Sequence, residues 1–397
     1  MKKLLAIALA LVLLFAIAAC TAEPEPAPAE ETPAQEATPE PEATPEPEET
    51  PEEPDAEEPT EAMDIRVALV AHGPESIQFD GSFNEGSWNG ILTFLDANGL
   101  SASEHARFFQ SHEANDDARV DVMNDAIEWG ADILILPGFH FSTSVFMAAN
   151  LFPDTMFVVL DTLTDPGPTP ANVVTIAYAE EQSGFLAGYG VVMEGFRDIG
   201  FMGGVAVPPV VRFGHGFVEG AEFAAQELGL ESGDVTIIYH YIGAFAPSPE
   251  VQTMANSWYA GGTEIIFVAA GRAWDSVLTA ADAGEGRWLV GVDVDQSGDS
   301  PLFMTSAMKA LGVSVNDMLT DFASGSFRGG QDLHFDASIN GIGLPMANSH
   351  FQNFTQAQYD AIFAQLANGS VVVSTTVAPT VAEAGLNIEL ITVNEIS

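Results

Sequence analysis

The sequence predicts an α/β fold of two lobes, each a parallel sheet flanked by helices, with a ligand cleft between them. Three observations carry this reading. Apolar, β-rich runs recur along the chain from Ile65, and helical stretches with a 3.6-residue apolar period lie between them. Roughly a dozen such βα pieces exceed one sheet of about 4–6 strands, so two lobes are the simplest arrangement.

The strand runs are Ile65–Val70, Ile133–Leu136, Phe157–Leu160, Val173–Tyr178, Ile199–Met202, Val235–Tyr239, Ile265–Val268 and Leu289–Val292. Continuous apolar runs of this length suit parallel strands covered on both faces. Helices are expected at Trp88–Asn98, Asp117–Trp129, Gln182–Glu194, Gly216–Leu228 and Trp274–Ala283. Short strands at Val371–Val373 and Ile388–Val393 are expected to complete the second lobe. The expected division is 63–177 plus about 300–327 for lobe one, and 178–299 plus about 328–397 for lobe two. In open parallel sheets ligands sit beyond the carboxyl ends of the strands, so two such edges facing each other make a cleft.

Ahead of these elements the chain has a different character. Met1-Lys2-Lys3 precedes an unbroken apolar run from Leu4 to Ala19, the pattern of a secretory leader over residues 1–19. The run is short for a membrane span of about 20 residues; an uncleaved anchor helix is the alternative. Cys20 is the only cysteine, which excludes a disulfide within the monomer. From there to residue 62 the sequence repeats Glu, Pro, Ala and Thr without large apolar residues, so burial cannot offset its ordering entropy. Proline stiffness and like charges make it an extended, disordered tether.

The formal net charge is −46, and only nine Arg or Lys follow the leader, Lys309 being the one lysine among them. Nucleic-acid binding through a basic surface is excluded on that ground. The chain has no GxxxxGK[ST] phosphate loop and no GxSxG elbow, and its eight histidines are scattered without HExxH spacing. Asp293 and Asp295 are two apart, hence on one strand face, but a single pair is thin support for glycoside chemistry. The expectation is therefore a binding protein: not an enzyme, with no cofactor and no metal.

The chemistry-bearing segments sit at strand ends. Phe79-Asp80-Gly81-Ser82-Phe83-Asn84 follows the first strand and opens a helix, with Ser82 or Asn84 as cap. Phe83 is an aromatic in a polar loop, placed either to face a ligand or to staple the following helix. Gly271 ends a buried strand where backbone can approach a ligand closely, or simply turns the chain.

In DGSFNEGSW (80–88), PGFHF (137–141), FPDTMFVVLD (152–161), NVVTIAYAEEQSGFLAGY (172–189), IGFMGGVAVPPVVRFGHGFVEG (199–220), EIIFVAAG (264–271), VGVDVDQS (290–297) and TSAMK (305–309), the chain resembles the basic-membrane-protein family of substrate-binding lipoproteins, which includes purine-nucleoside receptors. The resemblance implies a type I periplasmic-binding-protein fold and a purine held between two phenylalanines, matched here by Phe83 and Phe213. It implies ribose contacts from Asp293 and Lys309, with Asp295 the runner-up carboxylate. A carboxylate accepts both hydroxyls of a cis-diol, and charge strengthens such bonds roughly twofold. Ile17-Ala18-Ala19-Cys20 resembles a lipobox, which implies lipidation of Cys20 and anchoring on the extracytoplasmic face of the cell membrane. The implied partners are a nucleoside-like small molecule and an ABC permease, with the chain itself a monomer. A lipoprotein sensor of the same fold is the alternative.

The departures from the family pattern fall at the base-recognition end. His72 stands where the family has an aspartate, Thr143 replaces an acid after Gly138-Phe139-His140, and Arg272-Ala273-Trp274 is bulkier than a glycine-rich turn. His72, His140, Arg272 and Trp274 are the residues expected to read the ring.

Overall fold

A computed structural model describes residues 63–162 and 167–396; the leader, Cys20 and the tether lie outside the described residues. The strands are β1 (Val67–Ala71), β2 (Ala106–Gln110), β3 (Ile133–Pro137), β4 (Met156–Leu160), β5 (Val173–Tyr178), β6 (Asp198–Gly203), β7 (Thr236–Tyr241), β8 (Ile265–Ala269), β9 (Trp288–Asp293), β10 (Phe303–Lys309), β11 (Gln331–Phe335), β12 (Ile342–Gly343) and β13 (Thr392–Glu395). The helices are α1 (Phe83–Ala97), α2 (Ala102–His105), α3 (Asp116–Glu128), α4 (Ser144–Leu151), α5 (Glu180–Glu194), α6 (Pro208–Leu228), α7 (Pro249–Ala260), α8 (Trp274–Asp282), α9 (Leu311–Ala323), α10 (Gln356–Ala367) and α11 (Val381–Ala384).

Two sheets form, in the orders β11-β5-β4-β3-β1-β2 and β12-β10-β9-β8-β6-β7-β13. Among the described residues every pairing is parallel except β10 with β12. Leaving out the edge strands contributed late in the chain, the two sheets repeat one order: β2-β1-β3-β4-β5 and β7-β6-β8-β9-β10. Each sheet is buried on both faces. In β1, Val67 and Leu69 enter the core shared with α1 and α9, whereas Ala68 and Val70 pack with residues of α3 and α4. This two-sided burial is why the strands read as unbroken apolar runs.

The division of the chain between lobes differs from expectation. Strand β10 pairs with β9 in the second sheet, and β11 pairs with β5 in the first. Among the described residues the chain thus crosses between sheets three times, after β5, after β10 and after β11. Hydrophobicity does not report which sheet a strand joins, so sequence places such crossings poorly. Residues 371–373 are not a strand, and β13 begins at Thr392 rather than Ile388. Helix α6 starts eight residues before Gly216, with Pro208 and Pro209 in its first turn, where a missing N–H costs nothing.

Helices α5 and α6 cross in direct backbone contact. A Cβ at Gly184 or Gly188 would overlap the carbonyl of Phe213 or Phe217, and one at Gly216 or Gly220 the carbonyl of Glu181 or Phe185. This packing fixes Glu180, the first residue of α5, relative to Arg212 and Phe213.

Candidate ligand-binding site

Between the carboxyl edges of the two sheets lies a cleft of about 540 Å³, within the usual range for a small-molecule site. Equivalent positions of the two lobes supply its centre. Asp161 follows β4 and Asp293 ends β9, the corresponding strands, and both adopt left-handed backbone with φ of 58° and 68°. Non-glycine residues hold that conformation only where their surroundings enforce it. Tyr178 ends β5 and Lys309 ends β10, again corresponding strands.

Lys309 Nζ stands 2.6 Å from Asp161 Oδ2, 3.1 Å from Glu180 Oε1 and 3.8 Å from Asp293 Oδ1. It also lies 5.0 Å from the Phe83 ring centroid, 5.2 Å from that of Phe213 and 5.5 Å from that of Tyr178. The ammonium is thus enclosed by three acids and three aromatic faces. Glu180 is shared with Arg212, at 2.8 Å, so two cations meet three carboxylates. Burial pushes the Asp161 carboxyl up to about 7, against the pull of Lys309 and with the added repulsion of Glu180. Burial likewise raises Asp293. Burial opposes the charge on Lys309, but the three carboxylates overturn that and hold the ammonium well above its ordinary value. Among the described residues Asp161 Oδ1 is buried without a hydrogen-bond partner, and the residue lines the cleft.

Phe83, Asn84, Phe213, Gly271, Asp293, Lys309 and His72 all line this cleft. The expected order of contacts shifts in several respects. The nearest partner of Lys309 is Asp161, while Asp293 Oδ2 accepts a 2.7 Å bond from Ser82 Oγ across the lobes. Phe213 is 2% exposed and packs edge-on against Phe267, so its ring forms the cleft floor. Phe245, after β7, is the partly exposed ring of the second lobe in the cleft; Gly271, at φ 50°, supports it, since a Cβ there would press to 3.3 Å. Trp274 does not line the cleft: it packs beneath the Gly81 turn and edge-on to Phe303, because its side chain follows the inner face of α8. Asp295 is separated from Asp293 by the left-handed turn that ends β9, and Asn348 and the Ser297 N–H hold it in the loop. Thr143 is exposed ahead of α4.

The loop before α1 is built for precision. Asp80 accepts from the backbone N–H groups of Ser82, Asn84 and Glu85, a cap supplied by neither Ser82 nor Asn84. Burial pushes its carboxyl up to about 6 against those donors. Asn84 donates its amide to Ser76 Oγ and the Ile77 carbonyl, tying the rim to the helix. Gln296 Nε2 donates to the Gly81 carbonyl from the other lobe at 2.8 Å. Phe83 therefore enters the cleft from a turn clamped by both lobes.

Asp161, Glu180, Tyr178 and Phe245 escaped the reading of the sequence. A signal for Asp161 was present: MFVVLD and WLVGVD are two apolar strands each closed by an aspartate.

Two α/β lobes joined by three crossings, with charged and aromatic groups converging from both strand edges, define a solute-binding protein. Among solved structures, an ABC transporter solute-binding protein from Conexibacter woesei DSM 14684 superposes with a TM-score of 0.61 at 21% identity, covering 78% of this chain and 99% of that one. One from Aeropyrum pernix K1 gives 0.60 at 21%, covering 81% and 84%. These likenesses establish the fold. The chain belongs to the family described as ABC transporter substrate-binding protein PnrA-like, whose model matches residues 65–375. Relatives include the ABC transporter nucleoside-binding protein BmpA of Lactococcus lactis subsp. cremoris (strain MG1363), 26% identical over 306 residues, covering 72% of this chain and 83% of that protein. Basic membrane protein A of Borreliella burgdorferi is 25% identical over 312 residues, covering 78% and 87%.

Proposed function

We propose that this chain captures a nucleoside, with purine nucleosides favoured, at the extracytoplasmic face of the cell membrane and delivers it to an ABC permease. Lipid on Cys20 and the tether to residue 62 anchor it there, and the captor works as a monomer. The supporting observation is the convergence of Phe83, Phe245, Asp161, Asp293 and Lys309 in one cleft between lobes. In this reading Phe83 and Phe245 cover the two faces of the base from opposite lobes, with Phe213 as floor. Stacking of this kind contributes about 1–3 kcal/mol per base. Asp161 and Asp293 accept the vicinal hydroxyls of the ribose, and Lys309 donates to them while offsetting the acids. Because each face of the base belongs to a different lobe, ligand favours the closed arrangement, a hinge transition. The relative from L. lactis, named as nucleoside-binding, supports this choice of ligand.

A thermal-shift panel of nucleosides, free bases, riboflavin and pentoses tests it, since ligand stabilises the folded state by mass action. Nucleosides should raise the melting temperature, and free bases and pentoses should do so far less. A panel in which riboflavin or a free pentose gave the largest shift would refute the nucleoside reading.

A further inference from the structure

Behind Lys309 stands a pair of charges that the ligand contacts leave unused. The Glu180 side chain is 1% exposed, and its two carboxylate oxygens go to different cations: Oε1 to Lys309 Nζ at 3.1 Å, Oε2 to Arg212 Nη1 at 2.8 Å. Among the described residues, the cleft lining takes in Lys309, Asp161 and Asp293 but neither Glu180 nor Arg212. Only nine Arg or Lys follow the leader, and two of them meet on this one carboxylate. Buried ion pairs are often no more stable than apolar side chains of similar volume, so stability alone does not account for the arrangement.

The partners of Lys309 divide by lobe. Asp161 follows β4 of the first sheet, whereas Asp293 ends β9 of the second and Glu180 opens α5, which packs on β10 and α6. Glu180 and Lys309 sit at two of the crossings, and backbone bonds tie both to the third. The Ala179 N–H, just before Glu180, donates to the Phe335 carbonyl at 3.0 Å; the Ala310 N–H, just after Lys309, donates to the Gly341 carbonyl at 2.9 Å. A hinge motion displaces residues beside its axis least, so the Glu180–Lys309 pair keeps its geometry while Asp161 moves away with lobe one. In the opened cleft Glu180 then competes with Asp293 for the ammonium, and it stands closer, 3.1 Å against 3.8 Å. The backbone contact between α5 and α6, together with Arg212, fixes the carboxylate in that place.

We infer that Glu180 is a positioning residue for ligand capture: held by Arg212, it anchors Lys309 from behind, so that Asp293 stays open to ligand hydroxyls instead of closing on the ammonium. This deepens the nucleoside reading and rests on it. Glu180 touches no ligand and acts through Lys309. Without it, the lobe-two acid left beside Lys309 is Asp293, and the two would satisfy each other.

Titration calorimetry with inosine and 2′,3′-dideoxyinosine separates positioning from scaffolding, because only inosine presents the vicinal hydroxyls. The wild-type chain should bind inosine at least about tenfold more tightly. Glu180→Gln keeps the shape and removes the charge. It should lose about tenfold for inosine while holding dideoxyinosine unchanged, so the second ligand also reports that the variant is folded. Arg212→Met should lose about threefold in the same pattern, and the double variant should bind inosine no more weakly than Glu180→Gln alone, since both changes act on one lysine. Equal losses for the two ligands, or a Glu180→Gln chain that keeps the full preference for inosine, would overturn the inference. Equal wild-type affinity for the two nucleosides, or binding of neither, would overturn the nucleoside reading beneath it.

Discussion

Lys309 and Asp161 form the shortest ion pair at the centre of the molecule, 2.6 Å from Nζ to Oδ2, and they belong to different lobes. Lys309 closes β10 of the second sheet; Asp161 follows β4 of the first. The pair is thus both a site contact and a bond between lobes.

Removing one member should show both roles. Breaking a buried pair costs about 3–5 kcal/mol because the remaining charge is stranded; here Glu180, 3.1 Å from Lys309, remains as a partner and reduces the loss. Asp161→Ala is expected to lower stability by about 3 kcal/mol in urea unfolding, and to weaken nucleoside binding at least tenfold in calorimetry. Wild-type affinity in a folded variant would remove Asp161 from the sugar site.

The three rings should separate by role. Phe83→Ala and Phe245→Ala are expected to weaken binding by about 1–3 kcal/mol each, with little change in melting temperature, since both rings are only partly buried. Phe213→Ala should instead cost about 3–5 kcal/mol of stability, its ring being enclosed against Phe267. Calorimetry and denaturant unfolding on the same three variants check this.

Gly216→Ala and Gly188→Ala should disrupt the molecule rather than the ligand contacts. Each Cβ would overlap a backbone carbonyl of the facing helix, and backbone cannot yield as a flexible side chain can. Loss of several kcal/mol, about 3 or more, is expected in thermal unfolding. By contrast Gly229→Ala, where a Cβ meets nothing but φ is 65°, should cost only about 1 kcal/mol.

His72 and His140, whose rings stack at 3.7 Å, carry a pH signature. Their folded pKa values, about 3 for His72 and about 4 for His140, lie below the ordinary 6.5. The unfolded chain therefore binds more protons below 6.5, and the stability associated with keeping these rings neutral, complete above 6.5, is lost as pH falls toward 4. His140→Phe removes one such group. Its melting temperature relative to wild type should rise as pH is lowered from 7.5 to 5; a pH-independent difference would contradict the depressed pKa.

Much of this architecture was legible in the residues. Two-sided burial made β1, β3, β4 and β8 unbroken apolar runs, and Phe83, Asp293 and Lys309 each sat in a recognisable strand-end motif. The crossings were not legible, because β10 and β11 read alike as strands while pairing in different sheets. Nor was the repeated strand order, which is a relation of backbone paths and not of side chains. Phe245 escaped because it lies in a loop of small residues and prolines with no periodicity, and Glu180 because a carboxylate at a helix start reads as a partner of the helix dipole. Trp274 misled for the opposite reason: an aromatic beside a cleft-lining Gly271-Arg272 turn looks ligand-facing until the helix it opens turns it inward.

Calorimetric titration of the purified protein with inosine and with 2′,3′-dideoxyinosine addresses the sugar-holding acids directly. The two differ only in the hydroxyls assigned to Asp161, Asp293 and Lys309. Inosine should bind and the dideoxy analogue should bind at least tenfold more weakly. Equal affinity for both, or no heat from either, would contradict capture of a nucleoside through its ribose.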